Sequence, residues 1–261
     1  MRPVLELRGL SKHFGGVKAL DGLDLTVDEG DIFGLIGPNG SGKSTTINLI
    51  CGVYGETAGT VHFRGNLMNG KPPHTRLRAG IARTFQNIRL FPNLTVWQNL
   101  WVAQNSSQDV SAHGFLPRWF GATRRTRKEI ARLLELADLG HKGDELASNL
   151  AFGEQRRLEF ARAAAARPKL LLLDEPAAGM SRQEIDNLGR RIRRMRDSGV
   201  TILLVEHVME LVMGVTEQIA VLNFGYKIAF GTPGEVQRDK AVQEAYLGTS
   251  ASKSRPVDGS A

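Results

Sequence analysis

The chain has 261 residues, of which 41% are hydrophobic, and it carries a formal net charge of +7. This length can bury one good core or two small ones, which excludes a large multidomain assembly. No stretch approaches the roughly 18 consecutive apolar residues of a membrane span, and MRPVLELRGL at the amino terminus lacks the apolar core of a signal peptide. We therefore expect a soluble, cytosolic protein. Its single cysteine, Cys51, excludes an internal disulfide.

Two stretches carry much of the positive charge. Residues 118–132 contain six basic side chains against Glu129, and RRIRRMR fills residues 190–196. Neither shows the interleaved aromatic residues of a base-stacking surface. We interpret both as solvated helix faces and expect no nucleic-acid partner, while the first is also suited to anionic lipid headgroups.

The chain alternates between strand and helix patterns. In residues 23–37, LDLTVDEGDIFGLIG, apolar residues first alternate and then run continuously, as expected where an edge ribbon leads into a buried strand. KLLLLDE and VTILLVEH are further apolar strands, each followed by a helical pattern. The alternation predicts a mainly parallel sheet covered on both faces. We place an insertion at 105–123 within a helical subdomain of roughly 88–165, and a disordered tail at 249–261 after a domain spanning 1–248.

The strongest chemical signal is GPNGSGKST at residues 37–45, which satisfies the pattern G-x-x-x-x-G-K-[ST] between a strand and a helix. The glycines let backbone N–H groups converge on phosphate oxygens, and the helix amino terminus adds its positive end. Lys43 is expected to reach the β- and γ-phosphates, Ser44 to bind Mg²⁺ and Thr45 to hold the α-phosphate. The pattern predicts nucleoside triphosphate binding, which kinases, GTPases, recombinases and transport ATPases share.

A second motif, the strand LLLLDEP with two carboxylates at its end, narrows the class of protein. At its end, Asp174 is suited to hold Mg²⁺ through water and Glu175 to polarise the attacking water. Together with Phe14 in KHFGGVKAL, Gln86 in RTFQNIRLF, LAFGEQ and His207 in LLVEH, these motifs resemble in order and spacing the ATP-binding cassette (ABC) ATPases. The resemblance covers nearly the whole chain. It implies an α/β P-loop NTPase core with a mainly parallel sheet, an antiparallel β subdomain and an inserted α-helical subdomain.

The resemblance also implies a role for each site residue, with ATP and Mg²⁺ as cofactors. Phe14 stacks on adenine, Glu175 acts on water, and His207 contacts the γ-phosphate. Gln86 senses Mg²⁺ and the water, and is counted with Ser44 and Asp174 as a metal ligand. The remaining implied nucleotide contacts are Val17, Gly37, Asn39, Gly40, Ser41, Gly42, Lys43, Ser44 and Thr45.

In such ATPases the segment at LAFGEQ, here called the signature, caps the γ-phosphate bound by a facing subunit. The signature residues are Ala151, Phe152, Gly153 and Glu154. Gly153 permits close backbone approach, and the following helix offers its positive end to phosphate. Ala151 stands where the family usually has Ser, which removes a hydrogen bond worth roughly 1.5–3 kcal/mol to a charged partner. Phe152, Glu154, Met180 and Val208 also depart from the family's usual Gly, Gln, Asp and Asp.

LAFGEQRRLEFAR, EPAAGM, VEHVMELVM and the insertion after Val102 resemble the larger ATPase of branched-chain amino acid import systems. This implies two integral membrane permeases, a second and shorter ATPase, and an external or periplasmic binding protein, with this chain on the cytoplasmic face of a bacterial inner membrane. Whether the ATPase dimer is a heterodimer or a homodimer stays open on the sequence. Leu90, Phe91, Leu94, Val96 and Trp97 would suit a permease docking surface or ordinary core.

Other functions remain open on the sequence. ATPases of urea or amide importers and of lipopolysaccharide exporters resemble this chain closely. A soluble ABC ATPase acting on DNA or ribosomes would usually need a long coiled-coil insertion or a second cassette, for which 261 residues leave no room. A P-loop kinase or GTPase would be active without dimerisation.

Overall fold

The computed structural model describes residues 2–84, 89–106 and 124–251. Within these ranges the chain forms ten strands in two sheets, together with nine α-helices and two short 3₁₀ helices at Gly140–Lys142 and Ala147–Asn149. The strands are β1 Pro3–Phe14, β2 Val17–Asp28, β3 Ile32–Ile36, β4 Ala58–Phe63, β5 Asn66–Leu67, β6 Ile81–Arg83, β7 Leu170–Asp174, β8 Thr201–Val205, β9 Gln218–Asn223 and β10 Tyr226–Gly231. The helices are α1 Lys43–Ile50, α2 Pro73–Ala79, α3 Val96–Ser106, α4 Arg124–Leu136, α5 Phe152–Ala165, α6 Arg182–Asp197, α7 Met209–Val215, α8 Pro233–Arg238 and α9 Lys240–Ala251.

The smaller sheet is antiparallel, with the strand order β2-β1-β4-β5. Its edge strand β2 buries Leu23, Leu25 and Val27 and exposes Asp24 and Thr26 between them. This period of two is what a strand with one solvated face requires. The predicted edge ribbon is therefore confirmed.

The larger sheet has the order β10-β9-β3-β8-β7-β6 and is parallel from β9 to β6. Every residue of β3, β7 and β8 is buried, because the sheet is covered on both sides. At the edge opposite β6, β10 pairs with β9 in the antiparallel direction. The predicted fold class is confirmed, and the carboxyl ends of β3, β7 and β8 bring the P-loop, the Asp-Glu pair and His207 to one edge of the sheet.

Two hydrophobic cores lie on the two faces of the large sheet. Alternate residues of β7 serve them: Leu171 and Leu173 face the helical side, whereas Leu170 and Leu172 face the core shared with the antiparallel sheet. The all-apolar strand β7 therefore contributes side chains to both cores.

Helices α3, α4 and α5 lie within the predicted helical subdomain and pack against one another. Helix α3 continues through Ser106, so the first two residues of the predicted insertion at 105–123 are helical, and its remainder at 107–123 lies outside the described residues. Helix α9 likewise continues to Ala251, past the predicted start of the tail, and residues 252–261 lie outside the described part.

Helix α6 exposes three of the five arginines of the RRIRRMR cluster to solvent, whereas Arg191 pairs with Asp138. Its apolar side buries Ile192 and Met195, while Arg190, Arg193 and Arg194 are exposed. Helix α4, which carries part of the first cluster, likewise buries Ile130 and exposes its basic residues Lys128 and Arg132. Among the described helices, none is both long enough and apolar enough to cross a membrane.

Candidate active site

The P-loop connects β3 to α1 and is shaped by its glycines. A Cβ at Gly37 would lie 2.1 Å from the carbonyl oxygen of Leu222, and one at Gly42, where φ is 108°, would lie 2.7 Å from that of Ala19. No other residue type fits these positions without moving the backbone. The two glycines therefore allow the loop to fold tightly between β2 and β9.

Two P-loop side chains are prepared for an anionic ligand. The Nζ atom of Lys43 is buried and donates to the carbonyl oxygens of Gly37, at 2.7 Å, and Pro38, at 3.0 Å. The hydroxyl oxygen of Ser41 is buried without a hydrogen-bond partner among the described residues. Burial lowers the pKa of Lys43, while Glu175 and Asp174 act to raise it. A phosphate group would compensate the buried ammonium and supply a partner for the hydroxyl.

The P-loop forms one wall of a cavity of about 390 Å³. Nearly all of the predicted nucleotide contacts line it, together with the predicted catalytic Glu175. The lining residues are Val17, Lys18, Ala19, Asn39, Gly40, Ser41, Gly42, Lys43, Ser44, Thr45, Glu175 and Phe224. Lys18, Ala19 and Phe224 were not predicted from the sequence.

Asp174 lies at the end of β7 with 5% of its surface exposed. Arg83 on β6 donates one hydrogen bond to its carboxylate, at 2.8 Å, and a second to Oδ1 of Asn48 on α1, at 2.7 Å. The guanidinium thus fixes the aspartate relative to the helix that follows the P-loop. Arg83 was missed because nothing local marks an arginine as the partner of an aspartate 91 positions away.

Glu175 has an unusual backbone conformation. Its φ is 47°, in the left-handed region that residues other than glycine seldom adopt, and its N–H donates to the carbonyl oxygen of Val205 at 2.8 Å. Strained residues of this kind cluster at functional sites. The turn places the glutamate in the wall of the P-loop cavity.

Glu206 joins the turn after Glu175 to the residues around His207. Its carboxylate is fully buried and accepts hydrogen bonds from the backbone N–H groups of Ala177, at 2.7 Å, His207, at 2.8 Å, and Val208, at 3.1 Å. The side chain of His207 itself is 54% exposed. Glu206 was missed as a site residue, although a carboxylate that ends an apolar strand is a usable signal.

Several predicted site residues are not among those that line the cavity, namely Phe14, Gly37, Asp174 and His207. Phe14 pairs with Val17 in the β1–β2 hairpin, but its ring lies edge-on to Tyr54, with ring centroids 5.4 Å apart, and beneath the ammonium of Lys12. It is not among the residues that line the cavity. Gln86 lies outside the described residues.

The signature lies at the amino terminus of α5. Ala151 provides no side-chain cap, and its N–H instead donates to the Glu154 carboxylate at 3.0 Å. Burial raises the pKa of Glu154, but the Ala151 N–H and Lys142 outweigh it, so that the pKa lies below its ordinary value. Phe152 is 58% exposed. These residues are not among those lining the P-loop cavity of the same chain.

The signature helix also touches the segment that contains Met180. A Cβ at Gly153 would lie 3.1 Å from Oε1 of Glu184, whose other oxygen accepts from the N–H and the hydroxyl of Ser181. Met180, which precedes this cap, is half-buried and packs against the helical core. The side chain therefore serves packing in the place where the family often has an aspartate.

A P-loop after the buried parallel strand β3, an Asp-Glu pair at the end of β7 in the same sheet and an inserted helical region define a cassette-type P-loop ATPase. Residues 20–178 match the ABC transporter family, and the chain belongs to this family. Residues 227–252 match the branched-chain amino acid ATP-binding cassette transporter family.

Curated relatives and solved structures agree with this assignment. The chain is 42% identical over 254 residues to the high-affinity branched-chain amino acid transport ATP-binding protein BraF of Pseudomonas aeruginosa, covering 95% of this chain and 98% of that protein. It is 40% identical over 251 residues to LivG of Escherichia coli K12, with the same coverage. The crystal structure of the ADP conformation of MJ1267, an ATP-binding cassette of an ABC transporter, is 30% identical, has a TM-score of 0.83, and covers 95% of this chain and 100% of that one.

Proposed function

We propose that the chain is the ATP-hydrolysing subunit of a membrane importer for branched-chain or other hydrophobic amino acids. The observation that carries this proposal is the match of residues 227–252 to the branched-chain amino acid cassette family, because that segment lies outside the general ABC transporter match. The identities of 40–42% to BraF and LivG, over nearly the whole of both chains, support it.

The residues at the P-loop end of the large sheet have separate roles in ATP hydrolysis. The P-loop N–H groups and Lys43 bind the phosphates, and the apolar side chain of Val17 lines the same cavity. Glu175 would orient the attacking water, and His207 would contact the γ-phosphate. Arg83 and Glu206 hold Asp174 and His207 in place.

Mg²⁺ fits this donor set because hydroxyl and carboxylate oxygens are the ligands it prefers. Ser44 and Asp174 would bind it, directly or through water, with Gln86 as the third proposed ligand. Bound there, the ion would neutralise charge on the β- and γ-phosphates.

The signature is proposed to act on the nucleotide of a facing ATPase subunit. In this chain it offers backbone N–H groups at the start of α5 and lacks a hydroxyl at Ala151. The Glu154 carboxylate is already engaged by the Ala151 N–H and by Lys142. Closure around phosphate would therefore depend on the helix terminus and on Gly153.

A second cavity is suited to a permease. It has a volume of about 400 Å³, is mostly apolar, and opens between the end of α1, helix α2 and the helical subdomain. Of the five residues predicted as a docking surface, only Phe91 lines it, beneath the guanidinium of Arg162 at 5.1 Å. Val96 is fully buried in the helical core instead. We propose that an amphipathic cytoplasmic segment of one permease docks here.

Purification from native membranes tests the assignment. The tagged chain, expressed at its native level and solubilised in mild detergent, should bring down two different polytopic membrane proteins and a shorter ATPase, identified by mass spectrometry. Recovery of lipopolysaccharide export proteins, or of ribosomal or DNA-bound proteins without any membrane protein, would contradict the proposal.

A further inference from the structure

The turn between β9 and β10 contains Phe224, a residue type that is unfavourable in a turn of this conformation. Asn223 pairs with Tyr226, which leaves Phe224 and Gly225 as a two-residue loop with φ values of 45° and 85°. Two consecutive left-handed residues in a hairpin loop correspond to a type I′ turn, for which Asn-Gly is the preferred sequence. A bulky aromatic residue at the first position is a genuine outlier. Strain of this kind persists where a residue has another role.

This turn is fixed against the P-loop. The N–H of Gly225 donates to the carbonyl oxygen of Ser41 at 3.0 Å, and the N–H of Asp21 donates to the carbonyl oxygen of Gly225, also at 3.0 Å. A Cβ at Gly225 would lie 3.1 Å from the carbonyl oxygen of Lys18. The turn therefore lies between the P-loop and the first residues of β2, and it holds Phe224 at a set position beside both.

The ring of Phe224 is available to a ligand. It is 76% exposed, the highest value among the large hydrophobic residues of the described part of the chain. It lines the P-loop cavity together with Val17, which is 66% exposed. Phe14, the aromatic residue predicted to stack on adenine, is already in contact with Tyr54. Phe224 is thus the aromatic residue that lines the cavity.

We propose that Phe224 is a nucleotide-binding residue whose ring packs against the base and ribose of bound ATP or ADP, beside Val17. The P-loop N–H groups and Lys43 are suited to the phosphates, and Val17 and Phe224 are large apolar side chains that line the same cavity, so the ring is suited to the base. Base–aromatic stacking tolerates any base because each has a π-face. The proposal needs nucleotide binding by this chain but does not depend on amino-acid import.

Substitution of Phe224 by Asn separates the two roles of this position. Asn suits the type I′ turn, so the nucleotide-free Phe224→Asn variant should unfold at a higher temperature than the parent. The same variant should bind MgADP about tenfold more weakly in isothermal titration calorimetry, which corresponds to about 1.4 kcal/mol. Phe224→Tyr, which keeps the ring, should bind MgADP within about twofold of the parent, since the aromatic face is what binding requires.

Phe230 provides a matched control on the same hairpin. It is 57% exposed but stacks near Phe33, with ring centroids 6.1 Å apart, and lies outside the P-loop cavity. Phe230→Ala should leave MgADP affinity unchanged. MgADP affinity equal to that of the parent in Phe224→Asn would overturn the proposal. The Glu175→Gln variant is expected to bind ATP without hydrolysing it and so to trap a dimer with a facing ATPase subunit. If Phe224→Asn weakened only this ATP-dependent association and left ADP binding intact, the proposal would also be overturned and the ring assigned to the facing subunit.

Discussion

Replacing Glu206 by Gln tests whether one buried carboxylate holds two parts of the active site together. Glu206 Oε1 accepts from the N–H of Ala177, and Oε2 accepts from those of His207 and Val208. Glutamine keeps the size of the side chain but offers one oxygen and one NH₂ group. Whichever way the amide is turned, at least one backbone N–H faces another donor.

The cost follows from this arrangement. With the amide oxygen on the side of His207 and Val208, one charge-assisted hydrogen bond to Ala177 is lost, worth about 1.5–3 kcal/mol, and the facing donors stay unsatisfied. We expect the free energy of unfolding to fall by about 2–3 kcal/mol. The loops that carry Glu175 and His207 also lose their common anchor, and misplacement by about 1 Å can lower a catalytic rate about 100-fold. We expect kcat to fall between about tenfold and 100-fold, with MgADP affinity within about twofold.

Urea unfolding and single-turnover ATP hydrolysis measure the two effects separately. Glu217→Gln is the matched control, because Glu217 also accepts a backbone N–H, from Ile32 at 2.6 Å, but lies at the opposite end of β3 from the P-loop. It should lower stability and leave kcat unchanged. If Glu206→Gln kept the parent's unfolding free energy within about 0.5 kcal/mol and its kcat within about twofold, the anchoring role would be refuted.

Three further predictions concern the elements around the site. Arg76 is buried, donates to the last carbonyls of α1 and pairs with the buried Glu56 at 3.2 Å. Arg76→Met should therefore lower the free energy of unfolding in urea by about 3–5 kcal/mol, and adding Glu56→Gln should restore part of this loss. A loss below about 1 kcal/mol in Arg76→Met would contradict the prediction. Hydrogen bonds from Lys18 and Tyr226 lower the pKa of Asp21 from 3.8 to about 2, so its contribution to stability is complete above pH 3.8 and is lost as the pH falls toward about 2. The difference in Tm between the parent and Asp21→Asn should therefore shrink over that interval, and a constant difference would exclude the role of the carboxylate charge. Ala151→Ser should add an N-cap to α5 and raise stability by about 1 kcal/mol. In the Glu175→Gln background it should also tighten ATP-dependent association with the facing ATPase subunit, measured by gel filtration, because the hydroxyl adds a hydrogen bond to phosphate. Unchanged association would count against a phosphate-facing signature.

Features encoded by contiguous residues were predictable from the sequence. The P-loop needs Gly37, Gly42 and Lys43 at fixed spacing between a strand and a helix, and all three are visible in nine consecutive letters. The alternation in β2 and the continuous apolar run in β7 follow from one-sided and two-sided burial, which depend on period alone.

Features that depend on distant partners were not predictable. Arg83 binds an aspartate 91 residues away, and Glu206 binds the N–H of Ala177, 29 residues away. Nothing local identifies the partner of either residue, although the position of Glu206 at the end of an apolar strand is a usable signal for a site residue. Phe224 looks like an ordinary turn residue until β9 and β10 are paired and the turn is seen to lie on the P-loop. Helix α3 also extends further than predicted, because its last turn includes the polar residues Asn105 and Ser106.

Substrate-dependent transport by a reconstituted complex tests the central claim most directly. The complex that co-purifies with this chain would be placed in proteoliposomes with ATP inside and an external binding protein outside, and uptake of radiolabelled leucine would be measured. Our account predicts uptake that requires ATP, is inhibited by unlabelled isoleucine and valine, and is abolished by Glu175→Gln in this chain. Leucine uptake that is unaffected by Glu175→Gln, or ATP hydrolysis by the complex without uptake of any branched-chain amino acid, would contradict it.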